Sequence, residues 1–328
     1  MKDIRSTAYL AIKTPEEYEK IALQTFEHQY ASNPVYRSFC TLIHRAPADI
    51  HHSIDIPALP IGFFKSHRVT SFDDTPEITF TSSGTTAQRT AQHHLVSTKQ
   101  YRHTFLPIFE QHYGHPNRWT ILALLPAYLE RQGSSLVYMM DHLIKKSKHP
   151  QSGFYLNDFK SLNATLQVLE EKKQPTLLLG VSFALIDFAE QYPQQLNSTI
   201  VMETGGMKGR REEITREALH SILSAGFGVT DIHSEYGMTE LLSQAYSKGN
   251  GRFFPPPWMR VRAMEINDPF ACAGNNKIGR LNIQDLANYH SCAFLATDDL
   301  GRTHADGSFE ILGRMDTSDI RGCNLMVV

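Results

Sequence analysis

The sequence predicts an α/β protein, a largely parallel sheet with crossover helices followed by a smaller β-rich lobe, and three observations carry that reading. Apolar runs of strand length at 119–125, 176–181 and 199–203 alternate with helical spacing at 182–189 and 215–225, and strands alternating with helices imply parallel pairing through crossovers. Pro255-Pro256-Pro257-Trp258 then changes the character of the chain: short strand-like runs with turn signals follow at 261–263, 279–283, 292–297 and 308–311. Residues 1–254 therefore form the α/β lobe and 255–328 the β-rich lobe. Finally, glycine and hydroxyl loops close the strands of the first lobe, where ligands sit in open α/β sheets.

The first helix opens at Pro15 after Thr14, with Glu16, Glu17 and Glu19 early and Tyr18, Ile21, Leu23 and Phe26 recurring along it, a capped amphipathic pattern over 15–31. Asn33-Pro34 ends it, and a shorter helix holds Val35, Tyr36, Phe39, Leu42 and Ile43. A connecting stretch carries Phe63-Phe64-Lys65, either lining a site or anchoring a loop by two buried rings. Ile78 and Phe80 alternate with Thr79 and Thr81 as in a strand before Ser82 opens a polar loop. A helix spans 98–113 through Tyr101, Phe105, Ile108 and Phe109. The run 119–125, closed by Pro126, suits a strand buried on both faces. Later, 215–225 reads as a helix with Ile214, Ala218, Leu219 and Ile222 inward and Gly226 as its C-cap. A strand from Val229 then breaks at Gly237.

With 41% hydrophobic and 20% charged residues and a net charge of −2, the chain has a globular composition and no general nucleic-acid-binding character. It shows neither a signal peptide nor a stretch able to span a bilayer, so a cytoplasmic location is expected. Cys40, Cys272, Cys292 and Cys323 lack CxxC spacing and are expected as free thiols. His51-His52 and His93-His94 make poor chelators, because adjacent strand residues point to opposite faces.

Four stretches carry chemistry. Ser82-Ser83-Gly84-Thr85-Thr86, with Arg89 beyond, reads either as a hydroxyl-rich surface turn or as an anion cradle of short donors and one full charge. Glu235-Tyr236-Gly237-Met238-Thr239-Glu240 offers a flat ring, a hydroxyl and a carboxylate, which suit base stacking, a phosphate contact and Mg²⁺. Thr297-Asp298-Asp299-Leu300-Gly301 reads as a capped turn or as a ribose acceptor. Gly313-Arg314-Met315-Asp316 adds an arginine after a further glycine turn.

In this order the four stretches resemble the successive signatures of the adenylate-forming superfamily, the acyl- and aryl-CoA ligases and their relatives. Phe63-Phe64-Lys65, Glu203-Thr204-Gly205-Gly206-Met207-Lys208-Gly209-Arg210 and Ile320-Arg321-Gly322-Cys323-Asn324 look most like its acyl-protein synthetase, LuxE-type branch. The resemblance implies the large N-terminal domain of such an enzyme, layered sheets and helices with ATP and acyl sites in the first lobe, plus the small β-rich lobe. The second lobe would stop at the hinge after Asp316, without the mobile C-terminal domain and its lysine; Lys65, Lys208 and Arg321 are candidate replacement cations.

By the same resemblance, ATP and Mg²⁺ are the cofactors. Ser83, Gly84, Thr85 and Thr86 would hold the phosphates, Tyr236 would stack on adenine, and Thr239 would contact the α-phosphate. Glu240 would bind Mg²⁺, Asp299 and Arg314 would take the ribose, and Gly205 and Gly206 would lie beside adenine and acyl group. Ala87-Gln88-Arg89-Thr90 departs from the usual glycine and proline-lysine continuation, so Arg89 would supply the charge. Ser182 and 124–128 would border the acyl pocket. The implied reaction activates a carboxylic acid, a fatty acid in this branch, as acyl-adenylate and transfers the acyl group to a thiol. Cys323 beside Arg321 is either that acceptor or an inert buried cysteine. Acceptors would be the chain's own cysteine, a partner protein or CoA, with an acyl reductase as a further partner. The alternatives are a phenylacetate-type CoA ligase and a non-catalytic nucleotide-binding subunit.

Overall fold

The computed structural model describes residues 4–82, 90–126, 133–206, 211–212 and 214–315. A 3₁₀ segment, Ile4–Ala11, precedes helices α1 (Pro15–Ser32) and α2 (Pro34–Leu42). Thr14 caps α1 reciprocally: its hydroxyl accepts from the Glu17 amide at 3.2 Å and Glu17 accepts from the Thr14 amide at 3.1 Å. Strand β1 (Leu59–Pro60) and the single turn α3 (Phe63–Ser66) lead to a hairpin, β2 (Ile78–Thr81) and β3 (Gln92–Leu95). Next come α4 (Thr98–Tyr113), β4 (Thr120–Leu124), α5 (Ser135–Ser147) and β5 (Gly153–Phe154). The units α6 (Phe159–Glu171), β6 (Thr176–Val181), α7 (Ser182–Gln191), β7 (Thr199–Thr204) and α8 (Arg216–Phe227) follow. Seven further strands complete the described chain: β8 (His233–Tyr236), β9 (Ala245–Ser247), β10 (Arg252–Phe253), β11 (Met259–Met264), β12 (Gly279–Asp285), β13 (Phe294–Thr303) and β14 (Phe309–Arg314).

These last strands run from two residues in β10 to ten in β13.

The central sheet has the order β5-β4-β6-β7-β8-β9, parallel throughout except for antiparallel β9. Every residue of β4 and β6 is buried, as strands covered on both faces require. Leu177, Leu178 and Leu179 are at most 2% exposed, each contributing about 1.5–3 kcal/mol of burial. The second sheet, β10-β14-β13-β12-β11, is antiparallel, and β1 joins it parallel to β13. Thus β1 and β10 enter this sheet from before residue 255. No helix among the described residues is long and apolar enough to cross a membrane.

Several local expectations need correction. Helix α8 continues past Gly226 to Phe227, and Gly228 caps it at φ 63°. Gly226 is instead a close approach, since a Cβ there would lie 2.7 Å from that of Ala189. The buried residues of α8 are Leu219, Leu223 and Phe227, one per turn, while Ala218, Ile214 and Ile222 are exposed. Residues 229–232 are not strand, because pairing with β7 begins at His233. Phe63-Phe64-Lys65 belongs to α3 and not to a loop. Asp298-Asp299-Leu300-Gly301 forms no turn: it lies inside β13, which runs on through an irregularity at Leu300/Gly301. Gly313 likewise lies within β14.

Candidate functional site

The carboxyl ends of β6, β7 and β8 meet at one edge of the central sheet. Where β7 ends, Gly205 turns the chain at φ 67°, a conformation that favours glycine, and the Ser182 hydroxyl at the start of α7 donates to its carbonyl at 2.6 Å. Glu203, one strand-step back, is buried at 4% exposure. Burial alone would raise its pKa, but His220 and Arg216 outweigh it and hold the carboxyl below its usual range. Oε1 lies 3.4 Å from Arg216 Nε and 3.7 Å from His220 Nε2 and has no well-directed hydrogen bond.

From β8 the Tyr236 hydroxyl donates to Asp299 Oδ2 on β13 at 2.7 Å, and Arg314 Nε on β14 lies 3.8 Å from Asp299 Oδ1. The register of the second sheet brings this pair together, since Asp299 faces Arg314 across β13 and β14. Phe253 and Phe309 pack against the Tyr236 ring at 5.8 and 5.5 Å, and the Arg216 guanidinium lies 4.9 Å from the Phe253 ring centre. Burial raises the Asp299 pKa, while the Tyr236 hydrogen bond and Arg314 oppose it.

Beyond Tyr236 the chain turns through Gly237, where a Cβ would sit 2.6 Å from Glu235 Oε1. Two side chains hold the next carbonyls: His93 Nδ1 donates to Thr239 O at 2.8 Å and Asn288 Nδ2 to Glu240 O at 2.9 Å. Asp285 accepts from the Leu242 and Ser243 amides at 3.0 and 2.9 Å. The Glu240 side chain makes no ion pair among the described residues, and burial pushes its pKa up to about 7, opposed by its own backbone amide, Arg314 and Lys65. Burial also pushes His93 down to about 4, keeping the ring neutral near pH 7.

Glu235 points the other way, into the protein, accepting from the Thr204 hydroxyl, and burial pushes it up to about 7 from 4.5. The folded state therefore keeps a proton that the unfolded chain loses above pH 4.5, so this contribution to stability falls as pH rises from about 4.5 to about 7. Glu235→Gln removes it, and denaturant midpoints at pH 5 and pH 8 should show the variant gaining on the parent protein by up to about 3 kcal/mol. Identical pH dependence in the two proteins would contradict the assignment.

Of the residues singled out in the sequence, Tyr236, Thr239, Glu240, Asp299, Arg314 and Gly205 fall on this edge, with exposed Gly206 next in the chain. Ser83, Gly84, Thr85, Thr86, Arg89, Lys208, Arg321 and Cys323 lie outside the described residues. Cys40, Cys272 and Cys292 are free thiols. Sequence reasoning missed His93, Asn288, Asp285 and Arg216 as neighbours of the site and gave Glu203 no role beyond opening the 203–210 stretch. The one available signal was a polar pair, His93-His94, inside a strand-length run.

The model of the acyl-protein synthetase LuxE family matches residues 11–105. No curated protein matches the chain. Among solved structures, ATP-bound MatB from Rhodopseudomonas palustris is similar at 14% identity and a TM-score of 0.54, over 74% of this chain and 49% of that one. An open conformation of 2-hydroxyisobutyryl-CoA ligase in complex with 2-HIB-AMP and CoA is similar at 11% identity and a TM-score of 0.65, over 93% of this chain and 72% of that one. The chain thus spans about half the length of the MatB structure. Its α/β fold is similar to that of these ligase structures.

Proposed function

We propose that the chain is an ATP- and Mg²⁺-dependent acid–thiol ligase, which joins a carboxylic acid to AMP with release of pyrophosphate and then passes the acyl group to a CoA-type thiol. The observation that carries the reading is the Tyr236–Asp299–Arg314 cluster beside buried Glu240 at the carboxyl edge of the sheet. Asp299 accepts from the ribose hydroxyls, with Arg314 holding its charge, and the exposed backbone at Gly205-Gly206 lets adenine and acyl group approach closely. Thr239 contacts the α-phosphate; Ser83, Gly84, Thr85, Thr86 and Arg89 take the remaining phosphate charge. Ser182, Leu124, Leu125 and Pro126 border the acyl group.

Glu240 fits Mg²⁺ as a hard oxygen donor free of any ion pair among the described residues. Those residues contain no cluster of three or more His, Cys, Asp or Glu able to hold a metal, and Mg²⁺ commonly uses one or two carboxylates with substrate phosphates. Bound there, the ion would offset phosphate charge as the acid carboxylate approaches.

A second reading is acyl-protein synthesis, with Cys323 as acceptor, a fatty acid as substrate and an acyl reductase as onward partner; the family match over residues 11–105 favours it. Acid-dependent exchange of pyrophosphate into ATP, with acyl-adenylate trapped by hydroxylamine, is the expected result for both. Release of AMP stimulated by CoA supports the first, and acyl label retained on protein but lost in Cys323→Ser supports the second. ATP binding without exchange for any acid in a panel of chain lengths would instead indicate a nucleotide-binding subunit.

A further inference from the structure

We propose that His93 is a positioning residue that ties the β2–β3 hairpin to the Thr239–Glu240 turn and thereby sets the Glu240 carboxylate for Mg²⁺·ATP. The inference rests on the reading of Glu240 given above and goes beyond it. His93 lies on β3, at 1% exposure, and its Nδ1 donates to the Thr239 carbonyl across 146 positions of sequence. A carbonyl only accepts, so the ring must carry its proton on Nδ1. The Phe64 ring stands edge-on to the imidazole at 5.8 Å and fixes its plane.

The turn is held from the opposite side as well. Asn288, also 1% exposed, donates to the Glu240 carbonyl, and Asp285 accepts the Leu242 and Ser243 amides. Two successive carbonyls are therefore held by side chains from two distant segments, strand β3 and the loop between β12 and β13, with Glu240 between them. Without the His93 donor the part-buried Thr239 carbonyl loses its side-chain partner, and the turn shifts to recover one. The carboxylate that follows it in the chain shifts too. Partners of this kind, which orient a ligand residue without touching the ion, typically alter metal affinity by about 10–100-fold.

The test measures ATP binding by calorimetry with and without Mg²⁺, in the full chain, with near-ultraviolet circular dichroism as a check of folding. The parent protein gains affinity with Mg²⁺ and Glu240→Gln loses that gain. His93→Leu, which removes the donor, loses at least about tenfold of it while ATP affinity without Mg²⁺ is kept. His93→Asn, whose amide nitrogen overlays Nδ1, retains the gain; His93→Gln, whose nitrogen overlays Nε2, does not. The Asn and Gln pair decides the matter should His93→Leu fail to fold. A full Mg²⁺-dependent gain in His93→Leu or His93→Gln, alongside its loss in Glu240→Gln, overturns the positioning role. Retention of the gain in Glu240→Gln overturns the Glu240 reading itself.

Discussion

Glu240→Gln is expected to lower acid-dependent ATP–pyrophosphate exchange by at least about 100-fold while leaving the fold intact. The substitution preserves shape, and the backbone that holds the residue is untouched: Asn288 still donates to the residue-240 carbonyl and the Leu241 amide to the Met238 carbonyl. What changes is charge. A carboxylate at 7% exposure with no ion pair among the described residues is costly to keep, so replacing it with a neutral amide should not reduce stability at pH 8. Loss of exchange with an unchanged or higher melting temperature is the pattern of a residue kept for its charge. Exchange within threefold of the parent protein would remove Glu240 from the mechanism.

What the sequence revealed of this fold followed burial. Strands β4 and β6 are apolar at nearly every position because helices cover both faces, and they were legible to within a residue or two. Strand β3 was not, since Gln92, His93 and His94 break the apolar pattern; hydrogen bonds to Thr239 and Thr79 satisfy the two rings instead. Asp298 and Asp299 read as a turn for the same reason, yet Arg280 pairs with the first at 3.0 Å and Tyr236 with the second, so both sit within a strand.

The candidate site divides the same way. Tyr236, Glu240, Asp299 and Arg314 were each visible in local motifs, and their order along the chain suggested a common task. Their contact was invisible, because it depends on pairing β13 with β14 and on packing that sheet against β8. His93 and Asn288 belong to no motif, and their relevance arises only when distant segments meet. The hydroxyl loop and Cys323 remain sequence expectations, since they lie outside the described residues.

Asp299→Asn should weaken ATP binding by about 10–100-fold, with the acid KM little changed. Asp299 Oδ2 already accepts from Tyr236 and Oδ1 faces Arg314, so the carboxylate is oriented before any ligand arrives. Hydrogen bonds to a charged acceptor contribute about 1.5–3 kcal/mol, and an amide presents one acceptor and one donor where the ribose hydroxyls need acceptors. Tyr236→Phe removes only the orienting hydroxyl and should cost less, about threefold to tenfold, if the tyrosine acts through Asp299. The double variant separates that route from an independent one: coupled residues give a combined loss smaller than the sum of the two in free energy, measured as ATP affinity by calorimetry. Strict additivity would mean that the Tyr236 hydroxyl acts on the nucleotide independently of Asp299, and unchanged affinity in Asp299→Asn would take the ribose role away from this aspartate.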